Sequence, residues 1–238
     1  DERGLLLTEA VDPGYDDQGS LTSTGYIKNA YEYDFRGNLR IQTEAPGLAE
    51  ARITGFEYDK LDRLITRTGA AFENGEIPTD HYVYDLRGNL IRTTDATGAV
   101  THAWFDDNNR KISEISPVGT LTAWAFDTNG NVTSRRVYES RFDVPEDGLQ
   151  PTAAGPFRET SFEYDSNNRL VKSTIADILI GKFENGVYTA ETVSIVSENQ
   201  YDAGGNLIRE TDANGASIFH YYDRLGREIA KADPAPYL

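Results

Sequence analysis

Three features of this chain have residue types and spacing that invite a chemical reading: acidic turns, three histidines and a surplus of carboxylates. The segment Asp127-Thr128-Asn129-Gly130-Asn131 has the oxygen density of a calcium loop. An EF-hand loop, however, needs Gly at its sixth position and Glu at its twelfth. Counted from Asp127 those positions hold Val132 and Tyr138, and counted from Asp106 they hold Lys111 and Pro117. His81 and His102 share one register, each three residues before an aromatic-Asp pair; His220 is the third histidine. Hairpin stacking would place His81 and His102 about 10 Å apart. That is too far to share a zinc ion, whose nitrogen ligands sit at about 2.0–2.1 Å. The 39 Asp and Glu guarantee close carboxylate pairs of the kind that cleave glycosidic bonds. Most of them occupy positions that recur unit by unit, and a catalytic pair does not recur eight times. The chain has no Gly-x-Ser-x-Gly, no Gly-x-x-x-x-Gly-Lys and no Cys. Serine-triad and phosphate-cradling motifs are missing, and disulfides, thiol catalysis and Cys-bound zinc are excluded. No catalytic residue, metal ligand or cofactor is expected.

The elements carrying these residues follow from a repeat. Aromatic-Asp pairs stand at Tyr33-Asp34, Tyr58-Asp59, Tyr84-Asp85, Phe105-Asp106, Phe126-Asp127, Tyr164-Asp165, Tyr201-Asp202 and Tyr222-Asp223. The steps between them are 25, 26, 21, 21, 38, 37 and 21 residues, a base period of 21 with insertions. Four residues after each aromatic come Gly37, Asp62, Gly88, Asn109, Gly130, Asn168, Gly205 and Gly226. Only Gly, Asn and Asp occur there, the residues that tolerate positive φ. The Asp of each pair is placed to accept a hydrogen bond from a backbone N–H about two residues on. Each unit therefore reads as strand, tight turn, return strand.

The incoming strands alternate with period two, as in Tyr31/Tyr33, Phe56/Tyr58, Tyr82/Tyr84, Trp124/Phe126 and Phe162/Tyr164. Second turns close the compact units at Asp95-Ala96-Thr97-Gly98, Ser116-Pro117-Val118-Gly119 and Asp212-Ala213-Asn214-Gly215. The fold class expected is all-β: tandem hairpins in a long antiparallel sheet that must twist and curl. Residues 1–238 read as one array, with a Pro-rich loop inserted at about 139–159. A second insertion, about 175–197, carries Glu184-Asn185-Gly186 between apolar runs and predicts an extra or lengthened hairpin. The opening Asp1-Glu2-Arg3-Gly4-Leu5 resembles a unit without its aromatic, so a fragment that starts inside a repeat is expected.

One regularity has no immediate cause. The residue after each positive-φ position alternates: Asn38, Arg63, Asn89, Arg110, Asn131, Arg169, Asn206, Arg227. A two-unit superperiod, with Arg reaching a carboxylate or carbonyl of a neighbouring unit, would account for it; so would drift between two tolerated polar residues.

Charge and hydropathy narrow the partners. A net charge of −16 repels phosphate backbones, so no nucleic-acid partner is expected. No apolar run approaches the roughly 20 residues that span a bilayer as a helix. Aromatic faces beside acidic residues have a composition that can stack on sugars, which keeps glycans as an alternative ligand class. Recurrence of those aromatics in every unit favours a role as glue between hairpins.

The motif [Tyr/Phe]-Asp-x-x-Gly-Asn-Leu, at Tyr33–Leu39, Tyr84–Leu90 and Tyr201–Leu207 with the near match Phe126–Val132, resembles the YD-repeat or Rhs (rearrangement hot spot) family. The resemblance covers about Tyr31 to Asp233. It implies a sheet of hairpins forming a hollow shell, which encloses a C-terminal toxin in bacterial Rhs proteins and insecticidal toxin complexes and serves adhesion in teneurins. On that resemblance the partners are flanking YD repeats and an enclosed cargo polypeptide, and the location is outside a bacterial cell or on its surface. Open sheet edges would permit self-association. The self-cleavage segment of bacterial members is not matched, since Asp233-Pro234-Ala235 lacks its glycines.

Overall fold

The computed structural model describes residues 1–11, 14–15, 21–23, 26–48, 51–145, 148–184 and 186–233. Asn185 of the expected Glu184-Asn185-Gly186 turn and Pro234–Leu238 lie outside the described residues, as do 146–147 of the expected loop. Among the described residues every regular element is a strand, and the pairings are antiparallel. The all-β class of tandem hairpins is what the chain adopts. Contacts group the chain into two compact units, residues 1–103 and 104–238.

In the first unit β1 (Thr8–Val11) pairs with β4 (Tyr26–Tyr33), and β2 (Gly14–Tyr15) pairs with β3 (Leu21–Ser23). The ladder continues through β5 (Leu39–Glu44), β6 (Arg52–Tyr58), β7 (Leu64–Thr68), β8 (Thr79–Tyr84), β9 (Leu90–Thr94) and the start of β10 (Val100–Phe105). In the second unit the strands run β11 (Lys111–Ile115), β12 (Thr120–Phe126), β13 (Val132–Arg141), β14 (Phe157–Tyr164), β15 (Leu170–Glu184), β16 (Val187–Tyr201), β17 (Leu207–Thr211), β18 (Ser217–Tyr222) and β19 (Glu228–Ala232), each paired with the next.

The same irregularity recurs at the end of each incoming strand. The register slips between Glu32 and Tyr33, Glu57 and Tyr58, Val83 and Tyr84, Glu163 and Tyr164, and Gln200 and Tyr201. Each slip is a bulge forced by the left-handed residue of the turn that follows, the device of hairpins with a type I turn and an αL closure.

Little of the chain is buried. Among the described residues only Ala103, Ser113, Ile115, Gly119, Leu121 and Tyr138 are. Ile115, Leu121 and Tyr138 form a small cluster in the second unit with Trp104, Ala123, Phe142 and Val144 packed on it. Phe142 and Val144 belong to the segment 142–156 between β13 and β14, within the insertion the sequence marks as a loop. The segment folds onto the sheet: Tyr138 meets Phe142 edge-on at 5.6 Å, and Trp104 Nε1 donates to Gly148 O at 3.0 Å. The second insertion is the long hairpin β15–β16. A bulge interrupts it between Ile175 and Ile178, where Asp177 has φ 56°. Beyond that bulge Ile178–Glu184 pairs only with Val187–Val193 among the described residues.

Candidate functional site

The repeated turns form the most highly organised polar constellation in the molecule. All eight positions singled out by residue type have positive φ: Gly37 95°, Asp62 61°, Gly88 93°, Asn109 60°, Gly130 93°, Asn168 61°, Gly205 93° and Gly226 74°. Gly4, Gly98 and Gly215, with φ 79°, 83° and 80°, close further turns of the same kind after Asp1, Asp95 and Asp212. In each, the Asp backbone bonds across the turn. Asp85 N donates to Asn89 O at 3.0 Å, and Gly88 N donates to Asp85 O at 3.2 Å. The carboxylate reaches further than an Asx-turn requires. Asp85 Oδ1 accepts from Arg87 N at 2.9 Å and from Asn89 N at 2.8 Å, while Oδ2 accepts from Asn89 Nδ2 at 2.8 Å. The same two backbone bonds hold at Asp34, Asp59, Asp106, Asp127, Asp165 and Asp223. Asp202 accepts from Asn206 through its backbone N and its side chain.

These bonds favour the ionised carboxylate. Asp59 and Asp165 are held below the usual carboxylate range first by the side-chain hydrogen bonds of Arg63 and Arg169. Asn131 and Asn206 do the same for Asp127 and Asp202. Burial acts in the other direction on the aromatic partners, raising Tyr58, Tyr84 and Tyr164.

The alternation of Asn and Arg has a structural cause. Arg63, Arg110 and Arg169 each grip their own Asp with Nε and Nη2 and extend Nη1 to the next turn. Arg63 bonds Asp59 Oδ2 at 2.7 and 2.6 Å, and its Nη1 donates to Asp85 O at 3.0 Å. The guanidinium then lies 4.7 Å from the ring centre of Tyr84. Arg110 repeats this with Asp127 O and Phe126, and Arg169 with Asp202 O and Tyr201. Asn is too short for that reach, and Asn38 and Asn131 bond the side chain of the next positive-φ residue instead. Asn38 Nδ2 donates to Asp62 Oδ1 at 2.9 Å, and Asn131 Nδ2 donates to Asn168 Oδ1 at 2.9 Å. The residue types agree at most turns: Arg63, Arg110 and Arg169 precede turns closed by Gly88, Gly130 and Gly205, and Asn38 and Asn131 precede Asp62 and Asn168, but Asn206 precedes Gly226. A Cβ on Gly205 would stand 3.6 Å from Arg169 Nη1, an ordinary contact, so it is the positive φ of 93° that favours Gly there. In the first turn Leu5 holds the Arg/Asn position, and Arg3 does the arginine's work by bonding Asp1 and Asp34 O.

The tyrosines complete the link in the reverse direction. The hydroxyls of Tyr33, Tyr201 and Tyr222 donate to Leu6 O, Leu170 O and Leu207 O, the carbonyls just past the preceding turn. The turns closed by Gly4 and Gly37, and those closed by Asn168 and Gly205, are thus joined by a guanidinium in one direction and a phenol in the other.

The histidines occupy separate places. His81 pairs with Thr94, and His102 pairs with Arg92 on the other side of β9, so they are offset along the strands as well as separated across them. Burial and Arg92 depress His102. His220 is the arrangement that sequence reasoning missed. Its ring, 9% exposed, stands between Glu210 Oε1 on Nε2 at 2.9 Å and Glu228 Oε2 on Nδ1 at 3.0 Å. The carboxylates approach opposite ring nitrogens, which ties β17, β18 and β19 together without converging on one point. Among the described residues no group of three or more His, Asp or Glu is disposed to hold a metal ion.

Comparison with known proteins adds the following. The RHS Repeat family matches residues 201–235. The chain is 24% identical over 242 residues to the double-stranded DNA deaminase toxin A of Burkholderia cenocepacia (strain H111), covering 85% of this chain and 16% of that protein. The crystal structure of TcdB2-TccC3 without its hypervariable C-terminal region superposes with a TM-score of 0.63 at 17% identity, over 95% of this chain and 12% of that one. The Photorhabdus luminescens Tc holotoxin pore gives a TM-score of 0.61 at 18% identity, again over 95% of this chain and 12% of that one. At such identities the likeness to the solved structures is one of fold, and this chain spans a small part of each relative.

Proposed function

From the premise that the chain belongs to the Rhs, or YD-repeat, family, we propose that it is a wall segment of a toxin-encapsulating shell. One observation carries this reading. Within the units, side-chain bonds run from turn to neighbouring turn while almost nothing is buried, so the polar links do the work that a closed core does elsewhere. Such a sheet resists opening along its length and has two faces, which is what a barrier requires. The role is exclusion: a cargo polypeptide on one side is kept from contact with the other until delivery. No residue of the wall is assigned a catalytic step, and secretion from a bacterium follows from the role. The kinship with a deaminase toxin and the fold shared with Tc toxin assemblies support the reading.

The test is protease protection of the polypeptide carried by the longer protein that contains this segment. Replacing Arg63 and Arg169 together by Ala should raise the cargo's cleavage rate while the cargo's own sequence is untouched. Equal protection after deletion of the whole segment would overturn the proposal.

A further inference from the structure

The two kinds of link between turns leave different amounts of room. Where Arg63, Arg110 or Arg169 makes the link, its guanidinium covers the aromatic ring of the next turn. Asn38 makes the link to the Asp59 turn, and its amide ends at Asp62 Oδ1. The ring of Tyr58 therefore has no such cover among the described residues, and a cleft of about 350 Å³ opens beside it. Phe56 and Tyr58 line the cleft from β6, and Phe35, 86% exposed, and Lys60 line it from the two turns. Arg40 completes it from β5, one step beyond the Ile41–Gly55 pair and beside Phe56.

Arg40 breaks the rule that the repeat sets. Seven residues after the aromatic, the other seven units carry Ile five times, Val171 once and Thr133 once. Thr133 follows Asn131, whose link is of the same amide kind, so that link does not itself call for a cation. Among the described residues the guanidinium of Arg40 has no hydrogen bond or ion pair, and neither has the ammonium of Lys60. The aspartates of the lining are, by contrast, already engaged. Asp34 accepts from Arg36 N and from Asn38, Asp59 from Arg63, and Asp62 from Arg36 and Asn38. Glu57 stands between Phe56 and Tyr58, and the pleat turns it to the opposite face of β6. Unpaired cations beside bare aromatic rings are complementary to an anion with an apolar body. We propose that the cleft binds a small organic acid whose carboxylate is carried on a ring. The carboxylate takes the planar fork of Arg40 with Lys60 beside it, and the ring lies against Phe56 and Tyr58. The volume is near the lower bound of about 300 Å³ for small-molecule sites, which suits one ring. Acidic sugars and aromatic acids share this chemistry. The inference stands whether or not the wall encloses a cargo.

The probes are sodium glucuronate and sodium benzoate, titrated against the full chain and followed by the amide NMR shifts of the residues around the cleft. At least one should bind with a Kd of about 1 mM, and acetate, which has the charge without the ring, about tenfold more weakly. Binding of glucuronate alone assigns acidic sugars, binding of benzoate alone assigns aromatic acids, and binding of both leaves the shared chemistry as the specificity. Arg40→Ile restores the residue most other units carry and should weaken binding about tenfold, the loss of a charge-assisted contact, without lowering the melting temperature. Lys60→Ala, at an exposed turn position, should weaken it about threefold, as befits a solvent-facing charge. The inference is overturned if neither acid binds at about ten times the expected Kd. It is overturned equally if acetate binds as tightly as the ring acids, or if either variant, folded, binds as the parent does.

Discussion

The guanidinium of Arg63 lies 4.7 Å from the ring centre of Tyr84 while holding Asp59 on one side and the carbonyl of Asp85 on the other. One side chain thus satisfies its own turn, caps the next aromatic and fixes the spacing between two hairpins. That triple use explains why arginine and not lysine stands at this position. Nε and Nη2 are taken by the carboxylate, Nη1 remains for the carbonyl, and the flat face is free to stack.

Arg63→Ala should destabilise the chain by about 1–3 kcal/mol, combining a charge-assisted hydrogen bond with a stacked cation. Arg63→Lys should recover less than half of that, because an ammonium cannot grip two partners in one plane while lying on the ring. Urea unfolding of the three proteins decides it. A lysine variant as stable as the parent would show that charge alone matters here.

The turns respond to substitution by a different mechanism. Gly88 has φ 93°, outside the range a branched residue adopts without strain. Gly88→Val should cost about 1–3 kcal/mol through backbone strain. Asp62 is already left-handed with φ 61°, so Asp62→Gly relieves strain but removes the acceptor for Asn38 and Arg36. Its net effect should be small beside that of Gly88→Val. Thermal melts of the two variants compare the effects directly.

How far the fold could be read from the sequence depended on the range of the interaction. Positive φ at Gly88 or Asn168 is a local steric demand, and the residue types declare it unaided. The Asp beside each aromatic acts within five residues and is equally plain. The Asn/Arg alternation was visible, but its cause was not: Arg169 and Asp202 are 33 residues apart and meet only because two turns share a sheet edge. His220 gave still less signal, since Glu210 and Glu228 lie on flanking strands and nothing local marks them. The segment 142–156, rich in Pro and Gly, has a surface loop's composition. Its packing follows from Phe142 and Val144 finding an apolar spot at Ile115, Leu121 and Tyr138 that adjacent strands assemble.

The turn aspartates set a pH dependence whose sign is fixed. Asp59, Asp106, Asp127, Asp165, Asp202 and Asp223 are all held below the ordinary carboxylate value in the folded chain. Groups with a depressed folded pKa bind protons more readily when unfolded, so their stabilisation is full above the unfolded value near 4. It is lost as pH falls through and below that value towards the folded ones. Several similar groups titrating together should give a steep fall in melting temperature below about pH 4 and a flat profile from there to neutrality. Asp59→Asn should shallow the acid limb. A melting temperature independent of pH down to about 2 would mean that these bonds do not distinguish the charged form.

Ser113 is fully buried on β11 beside the apolar cluster, and among the described residues its hydroxyl has no hydrogen-bond partner. A buried, unsatisfied hydroxyl carries an uncompensated desolvation cost of about 1–3 kcal/mol. Ser113→Ala removes the oxygen and leaves only a small void, so the variant should be more stable than the parent by up to about 1 kcal/mol. The position faces Ala123 across the β11–β12 pair, where one methyl group is already accommodated. Chemical denaturation checks the sign. A less stable Ser113→Ala would mean that the hydroxyl is satisfied after all, and that the apolar spot beneath segment 142–156 is built around a polar contact.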